Sequence, residues 1–546
     1  MPARDVNFAA GLTATATRRP GDVALVCPRP YADPTSARRY TYGQLEEESE
    51  LLARGLREVG IGPGVRCAFL VIPGFDFFAL AYALFKAGAV LVGVDPGMGR
   101  RNLGQCLDEA APQALAGIPV VHALRRWFTP GNDTIQTRIS TAQRTSVRSG
   151  LISLSTLRDL GRQSNTPLPT VAGQDPAIIA FTSGSTGPPK GVVFTHALLN
   201  AQLAAIRSCF GIEEQERDLV TFPHFAFFGP GLGVTMVLAN MDFARPARAI
   251  PSWIVKSIRD HRVTNLFGSP ALLRRVARYG TAHGVKLPTL RRVVSAGAPV
   301  PGHVVESITS MLDGGEFLTP YGATEALPVT CISGSEILTD TWPLTQEGQG
   351  VCVGKPVDNI TVRIIGIADD AIETWSSDLE VPAGEIGEIA VSGPVASPSY
   401  YGRPDHTSLA KIQADGQFFH RMGDLGYIDA DGRIWFCGRK SHRISTPDGD
   451  LYPVPIEAVF NTHPDVYRSA LVAAGNRPVL CVQLERRAAR LRWSTIRNEL
   501  LELAQSRTST AMVRDILRHD RFPVDRRHNA KIGREALSEW ATRRLR

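Results

Sequence analysis

At 546 residues the chain exceeds what one hydrophobic core can fill, and its length implies roughly three or four packed units. Its 43% apolar and 21% charged residues are ordinary for a soluble globular protein. The net charge of +7 is modest and its Lys and Arg are scattered, which argues against nucleic-acid binding and suits anionic small substrates.

In chain order, Met1 to Pro20 carries no apolar stretch of the secretory-signal kind. The most apolar run, Cys67 to Val94, is broken by Pro73, Gly74, Asp76, Lys86 and Gly88. That pattern disfavours a membrane-spanning helix and predicts a strand over 68–72, a helix over 75–87 and a strand over 90–94. Residues 130–163, rich in Thr, Ser, Arg and Gly, read as a surface excursion. Strands over 177–181, 265–267 and 292–295, each followed by a turn and a helical pattern, imply βαβ units with helix-covered parallel sheets. From Ile360 the runs shorten, and 362–365, 388–391 and 433–436 predict an antiparallel or barrel-like part. After Arg439 a last unit returns to mixed α and β. The expected fold class is α/β: a large N-terminal domain over 1–438, helix-covered mostly parallel sheets plus the barrel-like part, then a small α+β C-terminal domain over 439–546. The eight cysteines stand apart with no Cys-x-x-Cys pair, which argues against a zinc ribbon or disulfide framework and for a reducing cytoplasm.

The run Thr182, Ser183, Gly184, Ser185, Thr186, Gly187, Pro188, Pro189, Lys190, Gly191 follows a predicted buried strand. Backbone N–H groups and hydroxyls of such a loop can wrap anionic oxygens, and Lys190 adds positive charge. It is not a Walker A loop, because Lys does not directly follow the second glycine. The other reading of the composition is a Gly/Ser surface linker.

This decapeptide resembles the signature of the ANL superfamily of adenylate-forming enzymes, which holds acyl-CoA synthetases, nonribosomal peptide synthetase adenylation domains and luciferases. The resemblance continues in order along nearly the whole chain. Thr319 to Glu325 resembles the second core motif: Tyr321, with Gly322 and Ala323 after it, offers a ring to adenine, Thr324 a hydroxyl to the α-phosphate, and Glu325 a hard carboxylate to Mg²⁺. Taken alone, these residues also fit a turn before a strand. Ser295-Ala296-Gly297-Ala298-Pro299 resembles the backbone that lines the adenine pocket, and otherwise reads as a βα turn. By the same resemblance Asp424 would accept hydrogen bonds from both ribose hydroxyls and Arg439 would contact the ribose-phosphate side. Lys531, within Pro523 to Arg534, would be the catalytic lysine bridging the α-phosphate and the attacking carboxylate. Two anions meet in this reaction, so a cation and Mg²⁺ between them are chemically needed. The resemblance also implies a mobile C-terminal lid swinging about a hinge near Arg439.

Phe222 to Gly229 resembles the fourth core motif, which borders the acyl tunnel; its aromatic content points to an apolar acid, and Leu266 to Leu272 lines the same tunnel. Longer strings, among them Phe267 to Leu272 and Arg527 to Glu535, are most similar to the β-lactone synthetases of bacterial long-chain olefin biosynthesis. That likeness implies ATP and Mg²⁺, a long-chain 2-alkyl-3-hydroxyalkanoic acid as substrate, and association with thiolase-like, reductase and hydrolase-like enzymes. Ser441 at the hinge and Asp450 beyond it depart from the acyl-CoA synthetase pattern, and an acidic residue there suits CoA phosphates poorly. His224 is the candidate base for lactone closure. The alternatives are a long-chain acyl-CoA synthetase or acyl-AMP ligase, and a non-catalytic nucleotide-binding assembly protein.

Overall fold

The apolar run near the N-terminus folds into strand Arg66–Leu70, helix Phe75–Lys86 and strand Val90–Gly93. Phe77 to Phe85 are all buried, which explains why this helix lacks a polar stripe and still does not need a membrane. The computed structural model describes residues 6–28, 36–94, 98–124, 134–142, 150–182, 189–475, 477–524 and 532–546. Among them no helix is long and apolar enough to cross a membrane.

Those strands belong to a seven-stranded sheet ordered Ile152–Ser153, Thr137–Ser140, Ala114–Gly117, Arg66–Leu70, Val90–Gly93, Pro176–Thr182, Lys190–Thr195. All its pairings are parallel except the last. The segment 130–163 is therefore not simply a surface excursion. Its described parts extend this sheet with two short strands and add the helix Leu154–Gln163, capped by the Ser153 hydroxyl. This helix packs against Tyr42–Glu58, where Gly55 and Gly161 leave room for the facing backbone carbonyls of Leu157 and Leu51.

A second, longer sheet has a parallel centre: Val23–Cys27, Thr235–Leu238, Arg217–Val220, Asn265–Phe267, Arg292–Val294 and Glu316–Ala323. Beyond Glu316–Ala323 it turns antiparallel through Ala326–Ser333, Val351–Pro356, Ile434–Arg439, Gln417–Ile428, Gly387–Ser392 and Thr361–Ile365. The short strands read as barrel-like thus continue the parallel sheet in one hydrogen-bonded path. Ala326–Ser333 and Val351–Pro356 separate the strands of Asp424 and Arg439 from Glu316–Ala323 along this path, and the Tyr321 side chain bridges to Asp424.

After Arg439 the chain forms a three-stranded sheet of Val466–Ala474, Arg477–Leu484 and Asp515–Arg518. Helices Pro453–Phe460, Trp493–Gln505 and Arg534–Leu545 cover it. Leu471, Leu480, Val482, Ile496 and Leu500 fill one side, and Ala470, Val479, Phe522 and Leu537 the other. Arg274 joins this part to the larger sheets by an ion pair to Glu485, 3.0 Å long, with its guanidinium 4.3 Å from the Tyr467 ring centroid.

Candidate active site

Parallel α/β sheets bind ligands beyond the carboxyl ends of their strands, where successive loops diverge. Four neighbouring strands end together here. Arg217–Val220 leads into Phe222 and His224, Asn265–Phe267 into Gly268, Arg292–Val294 into Ser295 to Pro299, and Glu316–Ala323 into Thr324 and Glu325. Gly297 has φ +93°, a left-handed conformation that suits glycine, and Ala298 and Pro299 follow it. The Ser295 hydroxyl donates to the Gly268 carbonyl at 2.8 Å and ties two of these loops. Thr324 and Glu325 form the turn before strand Ala326–Ser333, so the turn reading and the functional reading describe the same residues. Gly322 lies against the Ala326 carbonyl, where a Cβ would approach to 2.6 Å.

Asp424 and Arg439 arrive through two irregularities in the antiparallel part. Three residues, Met422 to Asp424, stand opposite Ile389, and Gly423 takes φ +65°, so the strand bulges and re-aims Asp424. Gly438, at φ +131°, accompanies a second register shift before Arg439. Arg439 Nη1 then meets Asp424 Oδ1 at 3.1 Å, and the Tyr321 hydroxyl donates to Oδ2 at 2.7 Å. Burial and the Asp424 carboxylate hold the Tyr321 hydroxyl well above its ordinary pKa, so it stays protonated and donates.

Glu325 is held by a segment that sequence reading missed. The Tyr400 hydroxyl donates to Glu325 Oε1 at 2.9 Å, and the Ser397 N–H donates to the Glu325 carbonyl at 2.7 Å. Ser397 also donates its hydroxyl to the Val193 carbonyl at 2.8 Å, linking Glu325 to strand Lys190–Thr195. Lys190, paired in register with Thr182, sets its ammonium 5.1 Å from the Tyr400 ring centroid. Burial lowers the Lys190 pKa, and Glu325 partly restores it. Arg403 donates to the Pro189 carbonyl at 3.3 Å and forms an ion pair with Glu109, fixing the returning end of the loop. Behind Tyr400, buried Lys411 donates to the Ser397 carbonyl and stands 3.1 Å from His420 Nδ1. Burial brings Lys411 down to about 7.

Lys190 and Glu325 thus meet at Tyr400, and Tyr321 and Arg439 meet at Asp424. Ser183, Gly184, Ser185, Thr186 and Gly187 lie outside the described residues, as does Lys531. The stem below Lys531 is described: Val524 bridges to Ile532, and the Gly533 N–H donates to the Pro523 carbonyl at 2.9 Å. Arg534 grips Glu457 with two bonds of 2.5 and 2.9 Å and the Leu471 carbonyl at 3.0 Å. Burial, with Arg534 and then Arg439, pushes the His442 imidazole down to about 4.

His224 is exposed and borders an aromatic cluster, with ring centroids 5.7 Å from Phe222, 6.1 Å from Phe77 and 6.0 Å from Phe227. Phe225 packs between Phe222 at 4.8 Å and Phe267 at 4.9 Å. These rings form an apolar cluster at the end of strand Arg217–Val220.

A family model described as AMP-binding enzyme matches residues 12–401. The chain belongs to this family. Among curated relatives, this AMP-binding enzyme is 46% identical to the olefin beta-lactone synthetase of Stenotrophomonas maltophilia, over 99% of each chain. It is 45% identical to the protein of the same name from Xanthomonas campestris pv. campestris, over 98% of this chain and 97% of that one. Among solved structures, the amide bond synthetase of Marinactinospora thermotolerans superposes with TM-score 0.78 at 23% identity, covering 98% of this chain and 100% of that one. The o-succinylbenzoate coenzyme A synthetase of Bacillus subtilis, in complex with AMP, gives TM-score 0.75 at 20% identity over 97% and 98%. These two likenesses show that the AMP-binding enzyme has the fold of adenylating enzymes.

Proposed function

We propose that this AMP-binding enzyme adenylates a long-chain 2-alkyl-3-hydroxyalkanoic acid with ATP and then closes the acyl-adenylate to a β-lactone. The full-length similarity to two olefin beta-lactone synthetases carries the reading, and the charged groups at the strand ends and the aromatic cluster at Phe222, Phe225 and Phe267 agree with it. In the first step a carboxylate oxygen attacks the α-phosphorus and pyrophosphate leaves. In the second, the 3-hydroxyl oxygen attacks the acyl carbon, the C–O bond to AMP breaks, and the ring closes. The nucleophile is already tethered, which offsets part of the ring strain and removes any need for CoA.

We assign Asp424 to the ribose hydroxyls, with Tyr321, Gly297, Ala298 and Pro299 along adenine and Gly322 and Ala323 carrying the turn. Arg439, Thr324, Lys190 and the loop 182–187 take the phosphates, and Lys531 neutralises charge as carboxylate and phosphate meet. Glu325 fits Mg²⁺: Tyr400 holds one carboxylate oxygen, and a single protein carboxylate beside substrate phosphates is a usual mode for this ion. Bound there, Mg²⁺ would supply charge neutralisation. His224, at the aromatic cluster, takes the hydroxyl proton. We place the boundary of the large adenylation domain at 1–438 and treat 439–546 as the lid. The enzyme acts in the cytoplasm, alongside the enzymes that supply the hydroxy acid and consume the lactone.

Acid labelled with ¹⁸O in its carboxyl group tests this chemistry. Attack on phosphorus places one ¹⁸O in the AMP released, and His224→Ala keeps that transfer while accumulating acyl-AMP. AMP free of label would reject the adenylate route.

A further inference from the structure

Asp424 and Arg439 form the last rung of the ladder between strands Gln417–Ile428 and Ile434–Arg439. Past it, Lys440 enters a short 3₁₀ turn instead of continuing the strand. Arg421 precedes Asp424 and Lys440 follows Arg439, and the Glu388 carboxylate meets both of these flanking cations. Arg421 donates to Glu388 Oε2 from Nε at 3.1 Å and from Nη2 at 2.6 Å, and Lys440 Nζ donates to the same oxygen at 3.3 Å. Both cations also donate to the Ala368 carbonyl. Arg421 Nη1 reaches the Asp370 and Leu409 carbonyls at 2.7 and 3.2 Å, so every N–H of this guanidinium is used.

We propose, given the assignment of Asp424 to the ribose hydroxyls, that Glu388 is a positioning residue for nucleotide binding: by joining Arg421 to Lys440 it sets the aim of the Asp424 carboxylate and of Arg439 beside it.

On strand Gly387–Ser392, Glu388 stands opposite Leu425 and Ala390 opposite Arg421, with Met422 to Asp424 bulging between these pairings. The Glu388–Arg421 pair therefore spans the bulge that aims Asp424, where the backbone ladder is interrupted. Arg439 Nη1 donates to the Met422 carbonyl at 3.3 Å, so Arg439 leans on the same bulge. Lys440 ties the chain just past the rung to the oxygen that Arg421 holds. The Glu388 and Arg421 side chains are each 2% exposed, so solvent does not replace a lost partner there. The two cations differ in how firmly they are built in. Arg421 is buried, whereas the Lys440 side chain is 19% exposed, and Glu388 keeps Arg421 without it. Lys440→Met therefore loosens the rung in a protein that still folds, while Glu388→Gln deprives the buried guanidinium of its counter-ion.

Isothermal titration of the purified full chain with AMP and with 2′-deoxy-AMP reads the aim of Asp424, because the second nucleotide lacks one of the hydroxyls assigned to it. Wild type binds AMP about tenfold more tightly than 2′-deoxy-AMP, the strength of one hydrogen bond to a charged acceptor. In Lys440→Met, and in Glu388→Gln where it folds, that ratio falls below about threefold as the acceptor loses its aim. A purely structural role weakens both nucleotides alike. The wild-type ratio persisting in Lys440→Met, or in folded Glu388→Gln, would overturn the proposal. A wild type that does not distinguish the two nucleotides would remove Asp424 from the ribose and overturn the underlying assignment as well.

Discussion

Asp424 and Arg439 are register partners on adjacent antiparallel strands, and their charged groups meet at 3.1 Å while Tyr321 holds the other carboxylate oxygen. Asp424 is buried, so its charge is compensated before any nucleotide binds. A ribose that hydrogen-bonds to this carboxylate therefore meets an acceptor already fixed in place.

Asp424→Asn keeps the shape and removes the charge. Losing a charge-assisted hydrogen bond costs about 1.5–3 kcal/mol, so KM for ATP rises about 10- to 100-fold, with a smaller change in KM for the acid. Pyrophosphate exchange at varied ATP measures it. An unchanged KM for ATP would remove Asp424 from the nucleotide site.

Glu325→Gln removes the hard carboxylate and leaves Tyr400 with a weaker acceptor. Exchange activity falls on the order of 100-fold, with part of the loss regained at high Mg²⁺, because the variant weakens the hold on the metal. Tyr400→Phe, which removes only the hydrogen bond, loses about fivefold. Equal losses in the two variants would mean that Glu325 acts through Tyr400 alone.

The Arg534 grip on Glu457 fixes the stem beneath Lys531. Arg534→Met leaves a nearly buried carboxylate unpaired at a cost of about 3–5 kcal/mol. Tm drops, and in protein that remains folded kcat for adenylation falls more than KM for ATP rises. A stable variant with full kcat would show that this stem does not set the lysine.

Lys411 connects stability to pH. With its folded pKa near 7, against an ordinary 10.5, it binds fewer protons folded than unfolded throughout that window. Folding gains from deprotonated Lys411 as pH rises towards 10.5, and that gain is lost as pH falls to 7. Relative to Lys411→Met, wild type therefore gains up to about 1.4 kcal/mol per pH unit between pH 7.5 and 10. Denaturant unfolding of both proteins across this range measures it, and parallel curves would contradict it.

Much of the fold was legible because strands buried in parallel sheets are continuous apolar runs, as at 177–181 and 265–267. Residues 137–140 and 152–153 were missed because these edge strands are short and carry few apolar side chains; Ile139 alone is both apolar and buried among them. The motifs around Lys190, Glu325 and Asp424 stand out in the sequence because each is a run of adjacent residues. Tyr400, and Lys411 with His420, left no such signal. Tyr400 meets Glu325 across 75 residues of chain, and Lys411 meets His420 only through the register of two adjacent strands, so the fold supplies both pairings.

Incubating the enzyme with ATP, Mg²⁺ and a 2-alkyl-3-hydroxyalkanoic acid, with CoA left out, and quantifying products by mass spectrometry addresses the central claim most directly. The expected result is AMP and β-lactone in equal amounts over many turnovers, abolished by Lys531→Ala. Acyl-adenylate accumulating without lactone, or turnover only after CoA is added, would contradict it.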